Sequence, residues 1–211
     1  MIAPRWGRLE AGVGAIAAVL IIALTTRSPV WVGYLALWIP LTAAVVVAVQ
    51  RRTAVSDDDE ISRIRFRVTW MDVLVGAFVG LLLRTLIILI EVLGVGHVTS
   101  SSSMFEVDHD LLWVATAIIA PIVIAPIIEE CFFRGLVLPA IGTNWMGLVG
   151  SALLFCMFHL IGAFHPLTAV STFIVGLVLG ALAMKTKRLG AGIVAHVVYN
   201  ATLIAMSELG A

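Results

Sequence analysis

The chain has few charged residues, few cysteines and no excess of either charge. Only 12% of its 211 residues are charged, and thirteen Lys and Arg balance thirteen Asp and Glu. Soluble domains average about 25% charged residues, so this composition excludes an ordinary soluble protein. A neutral chain has no basic field to attract nucleic acid, and we expect no nucleic-acid partner. The two cysteines, Cys131 and Cys156, lie in apolar runs, which argues against a disulfide-stapled secreted fold.

Apolar residues, by contrast, make up 61% of the chain. A helix that crosses the roughly 30 Å hydrocarbon core of a bilayer needs about 20 mostly apolar residues. The candidate runs are Leu9–Thr26, Val30–Val49, Val73–Leu93, Leu111–Ile128, Trp145–Leu160, Leu167–Met184 and Ala191–Met206. We therefore predict an all-α fold, a polytopic transmembrane helix bundle of about seven helices, with eight as the alternative. The whole chain, 1–211, is predicted to be a single membrane-embedded domain.

Basic residues predict the orientation of this bundle. If each run is a span, ten of the thirteen Lys and Arg fall on the same side as the N-terminus. They are Arg5, Arg8, Arg51, Arg52, Arg63, Arg65, Arg67, Lys185, Lys187 and Arg188. Because cytoplasmic loops carry an excess of Lys and Arg, we expect a cytoplasmic N-terminus. The expected location is the lipid bilayer of the cell membrane, and the oligomeric state stays open.

Ionisable residues inside the runs are the candidates for function. A charge at the bilayer centre costs from about 2.5 kcal/mol upward, so such residues are rare and usually functional. The set is Arg84, Glu129, Glu130, Arg134, His159 and His196, with the amide Asn200 near the last.

Two adjacent glutamates in this set have different expected roles. Glu130 and Arg134 are four residues apart and share a helix face in the favourable order for an ion pair. Glu129 is turned about 100° away and escapes that partner. One acid is therefore expected to be structural and its neighbour available for chemistry. The alternative is an ion pair that closes a helix end, with Glu129 facing water.

His159 follows Phe155 by four residues, so the two side chains share a helix face. A lone histidine at the end of an apolar run is more often structural than catalytic. A helical hairpin with its turn at residues 142–144 would change this balance. It would bring Glu129 and His159 to a similar depth, about 22 Å from the turn.

His196 and Asn200 also share a face, four residues apart. Arg84 stands in the middle of its run, and Asp72 and Glu91 are its candidate partners on the same helix. For Arg84 the sequence favours structural pairing or snorkelling, with contact to a substrate carboxylate as the alternative.

Three motifs in this order resemble the CPBP family of CAAX proteases and bacteriocin-processing enzymes, also called Abi or Rce1-like. They are Glu129-Glu130-Cys131-Phe132-Phe133-Arg134, Phe155-Cys156-Met157-Phe158-His159 and His196-Val197-Val198-Tyr199-Asn200. They match the family patterns E-E-x-x-x-R, F-x-x-x-H and H-x-x-x-N. The resemblance covers about residues 111–205, the expected catalytic core.

The resemblance implies a glutamate-dependent intramembrane endopeptidase that acts on a membrane-associated protein or peptide. It assigns the general base to Glu129, with His159 holding the same water, and the oxyanion donors to His196 and Asn200. It implies supporting roles for Glu130, Arg134 and Phe155. No metal or organic cofactor is expected from it.

Other functions remain open at this stage. Glu129, His159 and His196 would also make a His₂Glu set of the kind that binds catalytic zinc. The motifs could instead belong to a non-catalytic bacteriocin-immunity or scaffold protein. Intramembrane Glu and His also serve as proton relays, as in a transporter.

Overall fold

This computed structural model describes residues 7–25, 27–54, 64–95, 111–161 and 165–209. Within these ranges the chain forms seven helices and no strand, which confirms the predicted all-α fold. The helices are α1 (Arg8–Thr25), α2 (Val30–Ala54), α3 (Trp70–Val95), α4 (Leu111–Ile141), α5 (Trp145–His159), α6 (Pro166–Thr186) and α7 (Gly190–Leu209). Arg5 and Arg63, two of the residues that predict the orientation, lie outside the described ranges.

The helices differ in whether they can cross a bilayer. α1, α2, α3, α4 and α6 are long and apolar enough to do so. α5 has 15 residues, about 22 Å at 1.5 Å per residue, which is less than the hydrocarbon thickness. The apolar part of α7, Gly190–Met206, is also shorter than the five long helices. The chain is an integral membrane protein, and its two short helices carry His159 and His196.

α4 departs from regular α-helical geometry in two places. It has π-helical hydrogen bonding over Val114–Ile124 and again over Glu130–Val137. In a π-helix each N–H bonds the carbonyl five residues back, and such turns are frequent at functional sites. The first stretch contains Pro121, which has no N–H to donate. The second begins directly after Glu129.

One compact unit combines Met1–Arg67 with Ile128–Leu189. In this unit α1 packs on α2 at Gly14, where an added Cβ would lie 2.6 Å from the Cβ of Ala44. The buried apolar side chains of α4 in this unit are Phe132, Phe133, Leu136, Val137, Leu138 and Ala140. Glu129, Glu130 and Arg134 of the E-E-x-x-x-R motif are buried in the same stretch.

The turn between α4 and α5 lies where the sequence predicts it. Gly142 has φ 152°, a value that side chains other than glycine rarely allow. Asn144 caps α5, since its side-chain oxygen accepts a hydrogen bond of 3.1 Å from the Gly147 N–H. α4 therefore reverses into α5 as a helical hairpin.

The other compact unit combines Val68–Ile127 with Gly190–Ala211. Here α3 and α7 approach closely at Gly80, where an added Cβ would lie 2.5 Å from the carbonyl oxygen of Ala195. Small residues at such positions let transmembrane helices come into backbone contact. His196, the next residue after Ala195, is therefore carried on a helix held tightly by α3. The single domain over 1–211 and the core over 111–205 stay predictions.

Candidate active site

The glutamate and arginine that share a face form the predicted ion pair. Arg134 Nη1 lies 2.8 Å from Glu130 Oε1, and both side chains are fully buried. Arg134 also donates to the carbonyl oxygen of Gly176 on α6 at 3.1 Å. A buried charge pair needs such additional bonds to offset its desolvation. Glu130 and Arg134 therefore join α4 to α6 next to Glu129.

Glu129 and His159 face each other across the α4–α5 hairpin. His159 Nε2 lies 3.9 Å from Glu129 Oε2. The carboxylate side chain is 8% exposed and the imidazole 34% exposed. Since the turn lies at residues 142–144, this proximity is what an antiparallel hairpin predicts. The catalytic roles of the two residues stay a prediction.

The imidazole of His159 has a defined hydrogen-bonding direction. Its Nδ1 lies 2.9 Å from the carbonyl oxygen of Phe155. A carbonyl only accepts hydrogen bonds, so Nδ1 carries the hydrogen, and in the neutral ring Nε2 is an acceptor. The ring nitrogen that faces Glu129 is therefore the basic one.

Phe155 lies one helical turn before His159, and the two rings are in contact. Its ring centroid lies 4.3 Å from that of His159. The guanidinium carbon of Arg134 lies 4.5 Å from the Phe155 centroid, within the range of a cation–π interaction. Phe133 packs edge-on against the same ring. Phe155 thus connects the Arg134 side chain to the imidazole and fixes the plane of His159.

The distance between Glu129 and His159 suits a shared water molecule. At 3.9 Å the two atoms are too far apart for a direct hydrogen bond. Polar atoms at such separations are commonly bridged by water. A carboxylate oxygen and an acceptor nitrogen can each accept one of the two hydrogens of one water, which leaves its lone pairs for attack.

Tyr34 on α2 is a neighbour of this pair that the sequence analysis does not identify. It lies within electrostatic range of Glu129. Its ring stacks on Trp38, with centroids 4.8 Å apart. The spacing of four residues between Tyr34 and Trp38 is the signal in the sequence, since it places both rings on one helix face. Only the packing of α2 against the end of α4 reveals which face that is.

His196 and Asn200 both lie in the second unit, on α7. The His196 side chain is buried, with the residue 3% exposed. Their helical spacing puts them on one face, as expected. The structure places Glu129 and His159 together in the first unit; convergence of all four residues stays a prediction.

Asn200 has a structural partner that explains its position. Ala125 donates its N–H to the carbonyl of Ala120, five residues back. In the same register the carbonyl of Pro121 would be bonded by residue 126, but Pro126 has no N–H. Asn200 Nδ2 donates to the Pro121 carbonyl at 2.8 Å. The amide thus replaces a hydrogen bond that the proline removes from α4.

Arg84 lacks the ion-pair partners expected from the sequence. It is 3% exposed, and within the described residues neither Asp72 nor Glu91 lies within 4.0 Å of its guanidinium. Asp72 instead accepts hydrogen bonds from the N–H and hydroxyl of Thr69 at the start of α3. The guanidinium carbon of Arg84 lies 5.9 Å from the ring centroid of Tyr199 on α7, within the range of a cation–π interaction. Asp72 and Glu91 stand twelve and seven residues from Arg84, about 18 and 10 Å along the helix.

Among the residues that the structure describes, no group of three or more His, Cys, Asp or Glu side chains could hold a metal ion. Cys131 and Cys156 are both unoxidised thiols. Zinc binding by Glu129, His159 and His196 stays an alternative.

Comparison with known families supports the motif-based resemblance. Residues 111–202 match the family described as "Type II CAAX prenyl endopeptidase Rce1-like". The match spans less than half of the 211-residue chain and contains all three motifs. It confirms the resemblance to the CPBP family, whose members of this type are endopeptidases and therefore hydrolases. Curated proteins and solved structures gave no match.

Proposed function

We propose that the protein is an intramembrane endopeptidase that hydrolyses a peptide bond of a membrane-associated protein or peptide. The single observation that carries the proposal is the 3.9 Å distance between Glu129 Oε2 and His159 Nε2. The matched family is named for the same class of reaction. No covalent intermediate and no metal or organic cofactor is part of the proposal.

In the proposed reaction Glu129 is the general base. One hydrogen of the bound water points at its carboxylate and the other at His159 Nε2. Glu129 takes its proton as the water oxygen bonds to the carbonyl carbon of the substrate. The tetrahedral intermediate then breaks its C–N bond, and the proton passes from Glu129 to the leaving amine. A well-placed general base contributes about 10²–10⁴-fold to such a rate.

His196 and Asn200 are the proposed donors to the oxyanion of this intermediate. Asn200 has two N–H hydrogens and directs one to Pro121, so the other remains for a ligand. Losing one oxyanion donor typically costs about 2.7–4 kcal/mol of transition-state stabilisation. This role requires the His196 and Asn200 side chains to lie within hydrogen-bond distance of the intermediate that forms at the Glu129 water.

Three further residues hold the base and its histidine in place. The Glu130–Arg134 pair fixes the helix on which Glu129 stands. Phe155 accepts the His159 Nδ1–H with its carbonyl, and its ring packs against the imidazole at an interplanar angle of 44°. These contacts favour one imidazole orientation, which supports a preorganised water site.

The remaining parts of the proposal concern location and partners. We propose the cell membrane with a cytoplasmic N-terminus, on the distribution of Lys and Arg along the chain. The partners are the lipid bilayer and a membrane-associated protein or peptide substrate. A scaffold or immunity function is the rival that the next experiment separates.

The test is a proteomic comparison of cells that express the wild type or Glu129→Gln. We expect wild-type cells to contain cleavage products of membrane-associated proteins that are absent with Glu129→Gln, at equal levels of the protease. His159→Ala should give the same loss. Cys131→Ser is the matched control on α4, since this thiol has no role in the proposed reaction, and it should retain cleavage. Cleavage that persists in Glu129→Gln would reject the assignment of the base.

A further inference from the structure

Among the residues that the structure describes, two arginines are buried in apolar helices, Arg134 and Arg84, and only Arg134 has a carboxylate within 4.0 Å. Arg134 lies 2.8 Å from the Glu130 carboxylate. Arg84 is 3% exposed, and in the ranges that the structure describes no carboxylate lies within 4.0 Å of it. It stands near the middle of the Trp70–Val95 helix. A buried cation without an anion is strongly destabilising, so its retention in a span points to a ligand.

The contacts of Arg84 leave hydrogen-bond donors unused. Its guanidinium carbon lies 5.9 Å from the Tyr199 ring centroid, and its buried Nε has no hydrogen-bond partner. A guanidinium has five N–H donors in a fixed planar arrangement that matches the two oxygens of a carboxylate. Tyr199 occupies only part of this capacity.

Arg84 is positioned close to the proposed oxyanion donors within the same unit. Tyr199 directly precedes Asn200 and follows His196 by three residues on α7. Gly80, one turn before Arg84, brings α3 into backbone contact with α7. A peptide whose carbonyl oxygen approached Asn200 would therefore pass beside Arg84.

We propose that Arg84 and Tyr199 form a carboxylate-binding subsite for the peptide substrate. This inference rests on the proposed peptidase function. The carboxylate accepts two parallel N–H bonds from the guanidinium, and its charge compensates the buried cation. Glu91, two turns further along α3, acts electrostatically on Tyr199 without pairing with Arg84. The carboxylate comes from the C-terminus of the substrate or from an Asp or Glu side chain near the scissile bond.

The experiment compares two pools of N-palmitoylated random peptides that differ only at the C-terminus, a free acid or an amide. The full-length protein is reconstituted in phosphatidylcholine vesicles, and products are identified by mass spectrometry. We expect the wild type to cleave the acid pool at least about tenfold faster, the size of one charge-assisted pair. In Arg84→Gln this ratio should fall to about one, and Arg84→Lys should restore part of it, because lysine keeps the charge without the planar fork. Tyr199→Phe, which keeps the ring, provides a milder second variant.

The possible outcomes distinguish failure of the carboxylate subsite from failure of the peptidase function. Cleavage of the amide pool mainly next to Asp or Glu, lost in Arg84→Gln, would support the subsite with a side-chain carboxylate as its ligand. Equal cleavage of both pools without enrichment of acidic residues would overturn the subsite but leave the peptidase function standing. A preference that survives in both Arg84→Gln and Tyr199→Phe would also overturn it. Cleavage of neither pool would contradict the peptidase function itself, and the subsite with it.

Discussion

Arg134 and Arg84 are both buried arginines in apolar helices, but their surroundings differ. Arg134 is bonded to the Glu130 carboxylate and to the Gly176 carbonyl, both within its own unit. Arg84 has a tyrosine and no described carboxylate in contact. The comparison teaches that burial alone does not decide the role of an intramembrane charge. The two arginines differ in whether the described residues supply a counter-charge, and the proposed subsite follows from that difference.

The largest expected effect is a difference in the free energy of unfolding between Arg134→Met and Arg84→Met. Arg134→Met removes the counter-charge that lies 2.8 Å from the buried Glu130 carboxylate, and we expect the free energy of unfolding to fall by about 3–5 kcal/mol. Arg84→Met removes a buried cation that has no described carboxylate beside it, so we expect no comparable loss in the free energy of unfolding. Thermal unfolding in detergent measures both. Equal losses for the two variants would show that Arg84 has a structural partner after all.

Features that depend on local spacing could be predicted from the sequence. The Glu130–Arg134 pair follows from a spacing of four residues, and the turn before Trp145 follows from Gly142 and Asn144 between two apolar runs. The three motifs located the pair Glu129 and His159. These predictions needed only helix geometry and the cost of burying charge.

Features that depend on which helices pack together could not be predicted. The bond from Asn200 to Pro121 joins residues 79 positions apart, and it exists because a π-helical register meets a proline. Tyr34 lies near Glu129 only because α2 packs against the end of α4. Asp72 and Glu91 on its own helix were the candidate partners of Arg84, but its guanidinium lies over the Tyr199 ring of α7. In each case the missing information is the choice of helix neighbour.

The second prediction concerns the close approach of α3 and α7 at Gly80, one turn before Arg84. Gly80→Ala would place a Cβ 2.5 Å from the Ala195 carbonyl oxygen, so the helices must separate. We expect a loss of about 1–3 kcal/mol in unfolding free energy, typical of overpacking. Gly12→Ala on α1 is the matched control, because nothing lies within 4 Å of the added Cβ. Unfolding in detergent measures both, and a neutral Gly80→Ala would contradict the close contact.

A third prediction separates the two roles given to Asn200. Asn200→Ala leaves the Pro121 carbonyl without its donor, and we expect about 1 kcal/mol of destabilisation. If the amide also binds the oxyanion, kcat should fall by about 10²-fold without being abolished. Thr202→Ala is a suitable control on the same helix, since its hydroxyl bonds only carbonyls of α7. A stability loss with unchanged kcat would assign Asn200 to structure alone.

The smallest expected effect concerns metal. In the proposed reaction both hydrogens of the attacking water are accepted by protein atoms, Glu129 Oε2 and His159 Nε2, so no Lewis acid is required to hold or activate it. We expect EDTA to leave cleavage by the reconstituted protein unchanged, measured beside a zinc protease that loses its activity in the same vesicles. Loss of cleavage that zinc restores would instead assign Glu129 and His159 to a metal site, since carboxylate and imidazole are both zinc ligands. The Arg84 subsite would survive that result, because its ligand is the substrate and its contacts involve neither residue.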